Sequence, residues 1–104
     1  MTTPQPTEAP VEQIIQHLRN ELPRLRAQYS VDQLAIFGSY ARNTQQSTSD
    51  LDILVSFRVI PGLFTYIALE QHLSDVLGVP VDLVMERALK PNIAAHIQED
   101  RKLI

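Results

Sequence analysis

Apolar residues recur at helical spacing through the first third of the chain. Val11, Ile14, Ile15, Leu18, Leu22 and Leu25 fall on one face, which predicts an amphipathic helix over residues 11–28. Pro23 lies within that stretch. Its missing N–H predicts a kink, or a restart as a second helix. Residues 1–10 are polar and carry three prolines, the composition of a flexible lead-in. Leu34, Ala35, Ile36 and Phe37 form a short apolar run ending at Gly38, as a buried strand does. Residues 43–49 are all polar and read as a loop. The pattern then changes period. Leu51, Ile53, Val55 and Phe57 alternate with Asp50, Asp52, Leu54 and Ser56, a strand with a core side and a partly polar side. Pro61 and Gly62 mark a turn. Tyr66, Leu69, Leu73, Val76 and Leu77 predict a second amphipathic helix, closed by Gly78 in the usual C-terminal position. Residues 79–85 form a third strand. Pro91, Ile93, Ala94, Ile97 and Arg101 suggest a last helix with Pro91 in its first turn. The resulting class is a small α/β (α+β) domain, a sheet with helices packed mainly on one face. The short link between the first two strands leaves their relative direction open.

Composition narrows the function classes. At 104 residues, the chain has room for one domain, over residues 11–104. Nine basic against twelve acidic residues give a net charge of −3. That argues against broad electrostatic contact with nucleic acid and against a polybasic membrane contact. The absence of cysteine excludes disulfide frameworks, thiolate zinc sites and cysteine nucleophiles. With no Trp, three Tyr and three Phe, an aromatic base-stacking platform is not expected. The opening residues have neither the basic nor the apolar region of a signal peptide. The longest uncharged stretch, residues 59–69, holds Pro61 and Gly62 and is far shorter than the ~20 residues of a membrane helix. A cytoplasmic protein is expected. His17, His72 and His96 are scattered without ligand spacing, and no P-loop motif is present.

The chemistry-bearing residues fall in two stretches and one outlier. Gly38 and Ser39 end the first strand. A glycine there lets a phosphate approach the backbone, and a serine hydroxyl adds a donor; the same dipeptide also serves as a plain turn with Ser39 as a helix N-cap. Asp50 and Asp52 project to one side of the second strand. Two adjacent carboxylates repel unless a cation lies between them, and Mg²⁺ suits one or two carboxylates plus substrate phosphates; a solvated strand face is the alternative. Asp82 interrupts an apolar run, where a carboxylate is costly unless it is paired with a basic residue or bound to metal. Were the third strand beside the second, the three carboxylates would cluster into a site for two metals. Tyr40 is a candidate for either packing or modification. Residues 99–102 read as a solvated helix end.

Taken together, Gly38-Ser39-Tyr40-Ala41-Arg42 followed by Asp50-Leu51-Asp52 resembles the nucleotidyltransferase signature of the DNA polymerase β-like superfamily. The short chain, and the run from Phe37 to Arg42 with that from Ser49 to Val55, resemble the minimal nucleotidyltransferases. These are antitoxins of prokaryotic pairs whose toxins are HEPN-domain ribonucleases. The resemblance implies a polymerase β-like fold with a small mixed sheet. It implies that Gly38 and Ser39 hold the triphosphate of ATP, with Arg42 facing phosphate or bracing the loop. Asp50 and Asp52 would bind Mg²⁺, and Asp82 would complete the metal site and help activate the acceptor hydroxyl. The implied reaction transfers AMP from ATP to a tyrosine of a cognate HEPN toxin. The alternative is a module of the same fold that neutralises a toxin by contact alone. One departure is Asn43, where the family usually has Gly; Asn tolerates left-handed backbone better than most residues.

Overall fold

The computed structural model describes residues 11–42, 44–46, 49–89, 91–92 and 101–104. The first amphipathic pattern forms one helix, α1 (Val11–Tyr29), with Val11, Ile14, Leu18, Leu22 and Leu25 buried. It runs through Pro23 without restarting. The ring removes the N–H that would bond the Arg19 carbonyl, a cost of about 3 kcal/mol. Burying leucines on either side, at ~1.5–3 kcal/mol each, offsets it. Ser30 then takes a left-handed conformation at φ 58 and turns the chain into strand β1 (Val31–Phe37).

Strand β2 (Leu51–Phe57) pairs antiparallel with β1, which settles their direction. Helix α2 (Leu63–Leu77) starts near the far end of β2 and ends at Gly78, whose φ of 72 is the left-handed cap the sequence predicts. The chain returns as β3 (Val81–Met85), parallel to β2. This strand begins two residues later than expected because Pro80 has no N–H to give to a ladder; its carbonyl accepts from Leu51 N at 2.8 Å instead. A short 3₁₀ turn follows at Glu86–Ala88. The two-residue β4 (Lys102–Leu103) pairs antiparallel with β1. The sheet is therefore mixed, in the order β3-β2-β1-β4.

β4 corrects the sequence reading, which gave three strands and placed Lys102 at a helix end. Two residues are too few to show alternation. Of the expected last helix, Pro91 and Asn92 are helical; residues 93–100 and the lead-in 1–10 lie outside the described residues. Among the described residues, no helix is long and apolar enough to cross a membrane.

One core joins these elements. The inward residues of α1 meet Leu34 and Ile36 of β1, Leu51, Ile53 and Val55 of β2, Val81 and Leu83 of β3, and Leu69 and Leu73 of α2. The outer edge of β3 is also closed. Tyr66 donates its hydroxyl to the Leu83 carbonyl, Leu83 N donates to Glu70 at 2.9 Å, and Val81 N donates to Ser74 Oγ at 3.1 Å. Residues 66, 70 and 74 are spaced four apart and so share one helix face. They saturate backbone groups that would otherwise form a sticky edge.

Candidate active site

Antiparallel pairing brings the end of β1 beside the start of β2, with Phe37 opposite Asp52. Immediately after Phe37 the chain turns at Gly38, at φ +75. Arg42 N donates to the Gly38 carbonyl at 3.1 Å, and Thr44 N to the Ser39 carbonyl at 2.9 Å. Residues 38–42 thus form a closed turn and not the first turn of a continuing helix. Tyr40 and Ala41 anchor it in the core. Tyr40 is 2% exposed, which decides for packing over modification.

Gly38 has a second structural reason to be glycine. A Cβ built there would lie 2.2 Å from Asp52 Oδ2 and 3.2 Å from its Cγ. Its open α-carbon makes room for that carboxylate, beyond the phosphate role its motif suggests.

Parallel pairing of β2 with β3 sets Asp52 opposite Asp82, so both project from the same face of the sheet. The structure thus sets Asp52 opposite Asp82 and leaves Asp50, exposed and just ahead of β2, close enough for its charge to act on Asp52. The sequence reading misjudges their burial. Asp82 is exposed, whereas Asp52 is the half-buried one. β3 is an edge strand, and Asp82 alternates away from the core that Val81 and Leu83 face.

The electrostatics centre on Asp52. Its carboxyl titrates above the ordinary carboxylate range, first because burial penalises the anion, then because Asp82 and Asp50 add negative charge; Arg42 opposes the rise. This perturbed acid among like charges is the pattern expected of a functional site. Tyr66 is likewise pushed above the usual phenol range by burial, then by Glu70 and Asp82. Its hydroxyl is committed to the Leu83 carbonyl, so it supports the strand.

Among the described residues, no three His, Asp or Glu side chains converge into a ready metal cage. Mg²⁺ does not require one, since it usually takes one or two carboxylates and completes its shell with water and phosphate oxygens. The donor set fits on the charge crowding at Asp52, which a divalent cation relieves. The other candidates fall away from this site. His17 is exposed. His72 pairs with Glu21 at 3.1 Å and packs against Tyr29. His96 and Asn43 lie outside the described residues. Sequence reasoning missed Tyr66, Glu70 and Ser74 as supports of β3; their four-residue spacing along α2 was the available signal.

Known proteins share the sequence pattern and the fold. The nucleotidyltransferase domain family matches residues 15–104. MJ0128 of Methanocaldococcus jannaschii is 46% identical over 91 residues, covering 86% of this chain and 93% of the relative. The protein adenylyltransferase MntA of Thermococcus cleftensis is 43% identical over 87 residues, covering 84% and 88%. The fold also matches the crystal structure of a toxin–antitoxin with AMP-PNP, at a TM-score of 0.66 and 27% identity, over 91% of this chain and 72% of that one.

Proposed function

This chain belongs to the nucleotidyltransferase domain family, and within it to the minimal nucleotidyltransferases, and on that footing we propose that it transfers AMP from ATP to a tyrosine hydroxyl of a cognate HEPN ribonuclease toxin. It is an enzyme of the protein adenylyltransferase kind. The observation that carries the reading is the position of Asp52, between the Gly38 turn and Asp82 at the mouth of the sheet.

In this reading the turn at residues 38–42 receives the triphosphate. Gly38 allows close approach of the phosphates, Ser39 supplies a hydroxyl donor, and Arg42 adds positive charge beside Asp52. Asp50, Asp52 and Asp82 would hold Mg²⁺, which supplies Lewis-acid stabilisation of charge at phosphorus. The acceptor oxygen attacks the α-phosphorus. The bond from that phosphorus to the bridging oxygen breaks, pyrophosphate leaves, and the phenolic proton passes to Asp82 or to solvent. The product is a tyrosyl–AMP phosphodiester. The partner protein would position its own hydroxyl in line, within ~3–3.5 Å of the phosphorus. The reaction would take place in the cytoplasm, without direct nucleic-acid contact.

The test is to mix this chain with its cognate toxin, ATP and Mg²⁺ and to record intact masses. The toxin should gain one AMP per event, and Asp50→Ala should abolish the gain. The second reading, neutralisation by contact alone, draws on Asn43 where the family usually has Gly. A toxin silenced without any gain in mass would favour it.

A further inference from the structure

The N-terminal half of α2 and the loop before it leave five large apolar side chains in water. Val59 is 67% exposed, Ile60 47%, Leu63 70%, Phe64 86% and Ile67 51%. Leu63, Phe64 and Ile67 form a stripe on α2 beside the Tyr66 face that supports β3. With an aromatic side chain offering ~150–250 Å² and aliphatic ones somewhat less, the five present on the order of 500 Å² of apolar surface. That is at the upper end for a lone patch on a monomer. It matches the apolar share of one partner's face, roughly 800 Å² in all, in a stable interface.

A pocket opens beside this surface. Its volume is about 270 Å³; Val55, Phe57, Ile60 and Met85 supply an apolar wall, and Ser56, Glu86 and Arg87 line the rest. Ile60 belongs to both patch and pocket. Phe64, four residues further on, does not fill the pocket of its own chain. A protruding ring and an apolar hole on one surface are what a two-fold interface requires, because each copy must present both halves of the contact. Charge permits the pairing as well. Residues 59–69 contain no Asp, Glu, Lys or Arg, and the two charged residues at the pocket, Glu86 and Arg87, are of opposite sign, so two copies of this acidic chain meet there without net like-charge repulsion.

We propose that this surface joins two copies of the chain in a two-fold dimer, with Phe64 of each seated in the pocket beside Ile60 of the other. The surface lies at the end of β2 opposite Asp50 and Asp52. Seven residues of strand separate the two ends by ~20 Å, so both carboxylate sites stay open to an acceptor.

Light scattering on the full chain across a micromolar concentration series tests this. The purified chain should show twice its monomer mass, dissociating on dilution. Phe64→Asp should be monomeric at every concentration, with an unchanged circular-dichroism spectrum. Ile67→Asp on the same surface should also be monomeric, and carries the test if the first variant misfolds. Phe64→Leu, which keeps an apolar knob, should retain the dimer. A parent chain that stays monomeric throughout would overturn the proposal and leave the patch to a different protein. So would a dimer that persists in a folded Phe64→Asp or Ile67→Asp variant.

Discussion

Gly38 answers two demands with one missing side chain. Its backbone sits at φ +75, and its α-carbon faces Asp52. Gly38→Ala should lose about 1–2 kcal/mol from the left-handed backbone alone. It should also displace the carboxylate, and a misplacement near 1 Å at a reacting centre can cost ~10²-fold in rate. Denaturant titration and a transfer assay separate the two effects; a variant with parent activity would remove Gly38 from the site. Asp52 makes a pH prediction. Its folded-state pKa is raised, so its contribution to stability is fully present below the ordinary carboxylate pKa and is lost as pH rises through the raised value. Asp52→Asn should therefore be more stable than the parent at neutral pH, with a flatter stability profile across the acidic range, while transfer is lost. Thermal melts from pH 3 to pH 8 would show it, and a variant less stable at neutral pH would contradict it. At this scale the sequence was informative about identity and poor about environment. The spacing of Gly38, Asp50 and Asp52 marked the candidate site. That Asp52 is the half-buried carboxylate and Asp82 the exposed one depended on which strand forms the edge, and no local pattern encodes that.

The least obvious support at the scale of elements is the set of side chains that α2 lends to β3. Glu70 accepts from Leu83 N, and this backbone group faces away from β2. Glu70→Ala should leave the donor unsatisfied, at about 1–3 kcal/mol. For a domain of this size each kcal/mol lowers Tm by roughly 4–8 °C. Glu70→Gln, whose amide oxygen still accepts, should lose less. Calorimetry of the two variants checks the order; equal losses would show that Glu70 acts through charge and not as an acceptor. Most elements were legible because hydrophobic period separates helix from strand cleanly here. α1, β2 and α2 each keep one period over two or more turns or several alternations, and Gly78 punctuates α2. The failures have physical causes. Of the kink or restart that Pro23 predicts, the restart does not occur, because leucines buried on both sides hold one helix together. β4 has two residues and no pattern of its own; it exists because β1 offers it an edge.

The molecule as a whole couples its site to its stability. The proposed ligand groups come from three separated stretches: the turn after β1, the start of β2 and the start of β3. These are in place together only when the single core that joins both helices and the sheet is formed. A ligand contacting all three binds the folded chain and not the unfolded one, so its binding energy adds to global stability. A non-hydrolysable ATP analogue with Mg²⁺, at a hundred times its dissociation constant, should add about 2.7 kcal/mol. That corresponds to a Tm increase of roughly 10–20 °C for a domain of this size. The unfolding transition should stay single, because one core unfolds as one unit. The Asp50→Ala/Asp52→Ala double variant, freed of carboxylate repulsion, should start from an equal or higher Tm and gain little from the same mixture. Scanning calorimetry with and without the analogue distinguishes the outcomes. A shift of equal size in parent and double variant would place the nucleotide away from these carboxylates. No shift in the parent at saturating analogue would mean that the chain holds nucleotide only when its protein acceptor is docked.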